Sequence, residues 1–210
     1  MKLQRCGVVV VLAVLLMLQN ASAQLLESWE GTLNGWTVQD ANYAYAPSTV
    51  DGVTEGTYSA ALTGTAGPGY GQMLLSPYQA SWTALLGNAA SLSLDIYTPP
   101  GSFGYYLQFD VDVNNADTGY QSLTGYSYPA TVIGSQYTLT IPISPAIAAG
   151  LAASANPTQI AIQIGGGYSD GNETMYLDNL RVTAIPEPST FGLLGLGVLS
   201  LFCVIRRRVS

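Results

Sequence analysis

Through the middle of the chain, hydrophobic positions recur at every second residue. Leu92, Leu94 and Ile96 share one parity, as do Leu107, Phe109, Val111 and Val113. The same holds for Tyr137, Leu139, Ile141 and Ile143, and for Ile160, Ile162 and Ile164. Successive side chains of a strand point to opposite faces, so each run predicts a strand with one buried side. Turn chemistry separates the runs at Thr98-Pro99-Pro100-Gly101, Asn114-Asn115, Gly165-Gly166-Gly167 and Asp170-Gly171-Asn172. Ser144 as N-cap and Pro145 as first helical residue predict one short helix over Pro145–Ala153. Many short strands and Gly-rich turns over residues 24–184 predict an all-β fold, an antiparallel two-sheet jelly-roll sandwich. Trp29, Trp36 and Trp82 are expected in its core.

The alternation is absent at both ends. Lys2 and Arg5, an apolar run from Gly7 to Leu18, and the small residues Ala21-Ser22-Ala23 before Gln24 predict a signal peptide over residues 1–23. Signal peptidase is then expected to cut between Ala23 and Gln24; the alternative is an uncleaved anchor helix. At the other end, the helix-hostile Ile185-Pro186-Glu187-Pro188 precedes an apolar stretch to Ile205 and then Arg206, Arg207 and Arg208. A transmembrane helix is expected over 189–205. About 18 residues at roughly 1.5 Å each reach about 27 Å, barely enough for a hydrocarbon core of about 30 Å. By the positive-inside bias, the arginines stay in the cytoplasm as an anchor, and residues 24–184 lie outside it.

Pro186-Glu187-Pro188, the apolar helix and the terminal arginine cluster together resemble the PEP-CTERM sorting tail of bacterial exported proteins. The resemblance covers residues 185–210. It implies recognition by an exosortase, transient attachment to the inner membrane through the C-terminal helix, and processing near the Pro-Glu-Pro. It gives an address and leaves the task of the exported part open.

Composition narrows that task. Only 9% of residues are charged and the formal net charge is −7. That balance excludes a nucleic-acid partner, which needs clustered Lys and Arg. There is no His, so His-dependent triads and His metal sites are excluded. Cys6 and Cys203 lie in the leader and the tail, and Arg181 is the one basic residue between Arg5 and Arg206. The middle therefore has no thiol, imidazole or lysine amine to act as nucleophile or base.

Two stretches carry a second resemblance. The sequence Trp29-Glu30-Gly31-Thr32-Leu33-Asn34-Gly35-Trp36 opens the middle, and Tyr176-Leu177-Asp178-Asn179-Leu180-Arg181-Val182 closes it. With Gly56-Thr57-Tyr58-Ser59 between them, this order is similar to galactose-binding-like jelly rolls, which include many carbohydrate-binding modules. The resemblance implies neighbouring first and last strands. It also implies a structural calcium held by Glu30 and Asp178 with backbone oxygen from Gly56 to Ser59; the alternative makes Glu30 a turn residue and Asp178 a bulge cap. Calcium prefers hard oxygen ligands, which an acidic chain supplies.

If a sugar binds, flat aromatic faces should support it. Tyr105, Tyr106, Tyr126 and Tyr128 are the candidates, with Tyr120 nearby in sequence. Asp110 and Asp112 share the face opposite Phe109 and Val111, expected to be exposed, where carboxylates accept hydrogen bonds from sugar hydroxyls. Tyrosine also fits any half-buried strand surface, so each candidate has a purely structural alternative. Asp110 and Asp112 likewise form the minimal pair for glycoside hydrolysis. Asp170-Gly171-Asn172-Glu173-Thr174 matches an extended bacterial N-glycosylation pattern or forms a plain hairpin loop. The expected protein is a non-catalytic cell-envelope or extracellular-matrix component with a carbohydrate-binding-like module, sorted by an exosortase and in contact with exopolysaccharide. A ligand-free structural sandwich and a carboxylate-dependent glycosidase are the alternatives.

Overall fold

The computed structural model describes residues 23–39, 43–64, 72–101, 107–124, 134–166 and 174–185. Residues Ala23–Ala184 form one compact unit. Its elements in chain order are β1 (Ala23–Glu27), β2 (Thr37–Val38), β3 (Tyr43–Ser48), β4 (Ser59–Gly64), β5 (Gln72–Leu75), α1 (Ala80–Gly87) and β6 (Ala89–Tyr97). There follow β7 (Leu107–Asn115), β8 (Gly119–Ser122), β9 (Gln136–Pro142), α2 (Pro145–Ala152), β10 (Thr158–Gly166) and β11 (Thr174–Ala184).

The strands form two antiparallel sheets. The first runs β3-β4-β11-β6-β9, with β1 also paired to β11; the second runs β2-β5-β10-β7-β8. The predicted parities hold: Leu92, Leu94, Ile96, Phe109, Val111, Val113, Leu139, Ile141, Ile160 and Ile162 are all buried. They meet between the sheets, where apolar area leaves water and supplies the main driving force for folding. The three tryptophans are buried as expected. Trp29 and Trp36 pack edge to face at 5.2 Å, and Trp36 and Trp82 lie 5.8 Å apart.

β11 is the strand on which the first sheet depends. Its first half, Thr174–Leu177, pairs with β4, and Leu180–Thr183 pairs with β1 on the same flank. β6 runs along the other flank. Between the halves the register shifts and Asn179 adopts φ +52, a bulge that inserts extra backbone. The inward parity therefore changes from Met175 and Leu177 to Leu180 and Val182, all four buried. First and last strands are neighbours, with Ala23 opposite Thr183. The expected cleavage point between Ala23 and Gln24 thus falls within β1.

α2 starts as predicted: Ser144 Oγ accepts the Ile147 amide at 3.3 Å and Pro145 fills the first turn. The sequence reading missed α1. Its N-cap, Gln79, makes no side-chain cap, and its first turn holds no acid, so it carries neither starting signal. α1 is fixed by packing. A Cβ at Gly87 would lie 2.7 Å from the Ala152 backbone nitrogen, which brings the C-terminal ends of α1 and α2 together.

The loop from Val50 to Tyr58 lies against the first sheet. Gly56 sits at φ +65, and a Cβ there would run into the Glu30 carboxylate. Gly56→Ala is therefore expected to cost about 1–3 kcal/mol, read as a lower midpoint in urea at unchanged m-value.

Candidate functional site

Arg181 forms the one ion pair among the described residues, with Asp95 at 3.1 Å. Asp95 is otherwise held by the hydroxyls of Thr138 (2.6 Å) and Thr54 (2.9 Å) and by Asn179 Nδ2 (2.8 Å). Burial pushes its carboxyl up, but these donors together outweigh burial and hold it below the usual range.

The carboxylates expected to hold calcium take amides instead. Asp178 Oδ2 accepts the Thr54 and Glu55 amides at 2.6 and 2.8 Å, and Oδ1 accepts the Asn179 amide at 2.7 Å across the bulge. Glu30 accepts the Thr57 amide at 3.0 Å and the Tyr58 amide at 3.4 Å. The loop turns N–H groups toward both residues. No cluster of three carboxylates that would hold a metal occurs among the described residues. Asp178 caps the bulge in this arrangement.

The outer face of the second sheet is different. On β7, Asp110 and Asp112 point away from Phe109 and Val111, as their parity requires. They are fully buried, however, contrary to the expectation of an exposed pair. Their hydrogen-bond donors come from the neighbouring strand and its continuation. Register places Ser122 of β8 opposite Asp112, and the Ser122 hydroxyl donates to Asp110 Oδ1 at 2.8 Å. Thr124 donates to the same oxygen, and the Tyr120 hydroxyl donates to Asp112 Oδ2.

Each carboxylate keeps an unused oxygen. Among the described residues, Asp110 Oδ2 and Asp112 Oδ1 have no hydrogen-bond partner. A buried acceptor without a donor is costly. Burial pushes the Asp112 carboxyl up to about 6, the Tyr120 hydrogen bond opposes the rise, and the Asp110 charge adds to it.

Across the same face, Gln163 lies opposite Asp110, and Gln159 and Tyr120 flank Asn114. Asn114 Nδ2 donates to the Tyr78 hydroxyl at 2.8 Å. Tyr78 and Tyr120 are 52% and 44% exposed, so both keep ring surface available to a ligand. Tyr78 was not singled out from sequence; it lies in an irregular segment after β5, where alternation gives no signal.

The remaining candidates lie outside the described residues: Tyr105, Tyr106, Tyr126 and Tyr128, Asp170 to Glu173 of the glycosylation pattern, Ala21, and the tail residues Pro186, Glu187, Pro188, Arg206, Arg207 and Arg208. So do the expected signal helix and the span 189–205. Among the described residues no helix is long and apolar enough to cross a membrane.

The fold is an all-β antiparallel two-sheet sandwich, and solved structures of the carbohydrate-binding β-sandwich superfamily resemble it. The chain is similar to a module of that superfamily described for its promiscuous specificity, with a TM-score of 0.55 at 17% identity. That match covers 78% of this chain and 62% of the other. It is also similar to CBM27-1 of Caldicellulosiruptor saccharolyticus, solved in complex with mannohexaose: TM-score 0.54, 16% identity, 79% of this chain and 98% of that one. An exo-β-agarase matches at TM-score 0.51 and 15% identity over 77% of this chain and 25% of its own. At such identities the likeness is one of fold.

The tail is more specific. Residues 184–208 match the PEP-CTERM protein-sorting motif, which indicates an exported protein with a C-terminal sorting signal. No curated protein matches the chain.

Two outcomes follow from the carboxylate geometry. Between the unfolded pKa near 4 and the folded value of about 6, the folded state retains a proton that the unfolded chain has released. Stability contributed by Asp112 therefore falls as pH rises through that window. Asp112→Asn should raise Tm by about 2–6 °C at pH 7–8, with the gain fading toward pH 4, in thermal scans across pH. Excess EDTA should leave Tm unchanged, because Glu30 and Asp178 are held by amides.

Proposed function

We propose that the exported sandwich is a non-catalytic carbohydrate-binding module, delivered to the cell envelope or exopolysaccharide by exosortase processing of its tail. The ligand lies on the outer face of the second sheet. There Tyr78 and Tyr120 supply apolar ring surface to pyranose C–H faces, and Asp112 holds the Tyr120 hydroxyl. The observation that carries this reading is the pair of exposed tyrosines at that face, Tyr78 held by Asn114 and Tyr120 by Asp112.

Sorting supports the same role. An exported protein with a C-terminal sorting signal reaches the compartment where envelope and matrix polysaccharide is met. A paired-carboxylate site also favours a glycosidase reading, since one member is raised toward the range of a general acid.

Binding of the full chain, purified in detergent, to an array of envelope and plant polysaccharides separates the readings. At least one saccharide class should bind, and Tyr120→Ala should weaken it about tenfold or more by loss of ring contact and of the Asp112 hydrogen bond. No new reducing ends should appear on prolonged incubation. Absence of binding to every saccharide would leave a structural sandwich, and turnover abolished by Asp112→Asn would establish a hydrolase.

A further inference from the structure

The turn that follows β1 carries a reactive pair of residues remote from the tyrosine face. Asn34 is the one asparagine of the sequence followed by glycine. Asn34 and Gly35 occupy the centre of a turn closed by the Trp36 amide on the Leu33 carbonyl at 2.7 Å. Both have positive φ, +48 and +83, as the primed hairpin turns require. Both are exposed, so water reaches them. Gly35 has no side chain to shield its nitrogen, which covalent geometry already sets beside the Asn34 side chain.

The Asn34 side-chain amide is gripped at both ends. Its Oδ1 accepts the Thr32 hydroxyl at 2.5 Å, and its Nδ2 donates to Glu27 Oε1 at 2.8 Å. These partners match the charges that develop when the Gly35 nitrogen attacks Cγ. Negative charge gathers on Oδ1, where a hydroxyl donates, and the departing nitrogen takes up a proton beside a carboxylate. Glu27 is buried at the end of β1 and also accepts the Ser28 and Trp29 amides and the Trp36 indole N–H.

We infer that this turn promotes a spontaneous modification of its own Asn34, through a cyclic succinimide to aspartate and isoaspartate, and that the product repels Glu27. The Gly35 nitrogen forms a bond to Cγ, the Cγ–Nδ2 bond breaks, and the Gly35 proton leaves with the nitrogen as ammonia. Water then opens the ring at either carbonyl. One water is consumed and one ammonia released, with no oxidant or reductant. The new carboxylate stands where a donor stood, against the buried Glu27 carboxylate, and like charges at that separation repel. Arg181, the one basic residue between Arg5 and Arg206, is committed to Asp95, so the folded unit has no free cation to bridge the pair. The isoaspartyl form also lengthens the backbone between Leu33 and Trp36 by one carbon.

Peptide mapping by mass spectrometry of the full chain, held in detergent at pH 8, tests the chemistry. Aspartate and isoaspartate should accumulate at position 34 ahead of every other asparagine. Thr32→Val should slow that conversion about tenfold or more in the folded chain and leave it unchanged in urea, where the turn is lost. Thermal unfolding of Asn34→Asp tests the consequence. Its Tm should lie about 3–6 °C below that of Asn34→Gly, which also lacks the donor, tolerates the positive φ and adds no charge. Failure of Asn34→Asp to fold beside a folded Asn34→Gly is the same result at its extreme.

An Asn34 that keeps its amide in the folded chain while the urea-unfolded chain converts would overturn the inference and make the turn protective. Conversion at the parent rate in folded Thr32→Val would remove the assistance assigned to the turn. Equal stability of Asn34→Asp and Asn34→Gly would remove the repulsion at Glu27. None of these measurements involves a saccharide, so the carbohydrate-binding reading stands or falls separately.

Discussion

Charge scarcity governs this fold. Twelve of the thirteen carboxylates lie between Glu27 and Asp178, and one guanidinium serves that whole stretch. A buried carboxylate must find donors or lose its charge, so the chain enlists its own backbone and hydroxyls. Glu27 accepts the Ser28 and Trp29 amides, the Asn34 amide group and the Trp36 indole N–H, which pins the opening turn to the tryptophan cluster. Glu30 and Asp178 hold the 50–58 loop through its amides, and Asp117 ties Ser154 and Asn156 beyond α2. In a chain rich in lysine these links would be ion pairs; here they are turns and caps. Asp110 and Asp112 are the two that the arrangement leaves short.

The same scarcity explains how the site and the scaffold trade against each other. Phe109, Val111 and Val113 on one face of β7 bury apolar surface, while Asp110 and Asp112 on the other bury charge at a cost. A strand that served stability alone would carry threonine or valine at both outer positions. The rest of the core offsets that local penalty.

Much of the sandwich was readable as alternation. β6, β7, β9 and β10 each show their buried parity in the primary structure, and Ser144-Pro145 announces α2. β4 does not, because its SAALTG sequence is buried on nearly every residue and small side chains blur the period. The bulge in β11 is equally silent: the shift of inward parity between Leu177 and Leu180 depends on φ at Asn179, which no composition rule marks. For the candidate site, parity correctly set Asp110 and Asp112 opposite the core, but their burial depends on which strand lies alongside. Ser122, Thr124 and Tyr120 become their neighbours only through the β7–β8 register, a pairing that sequence spacing alone does not fix.

The adjacency of Ala23 and Thr183 has a mechanical consequence. Tension entering the compact unit at Ala184 runs lengthwise into β11, a strand gripped by β1 and β6 on opposite flanks. Such a load shears several backbone hydrogen bonds together and cannot unzip them singly. A module pulled from its C-terminal end thus resists through the middle of a sheet, while the face bearing Asp110 and Asp112 belongs to the other sheet, outside the line of force.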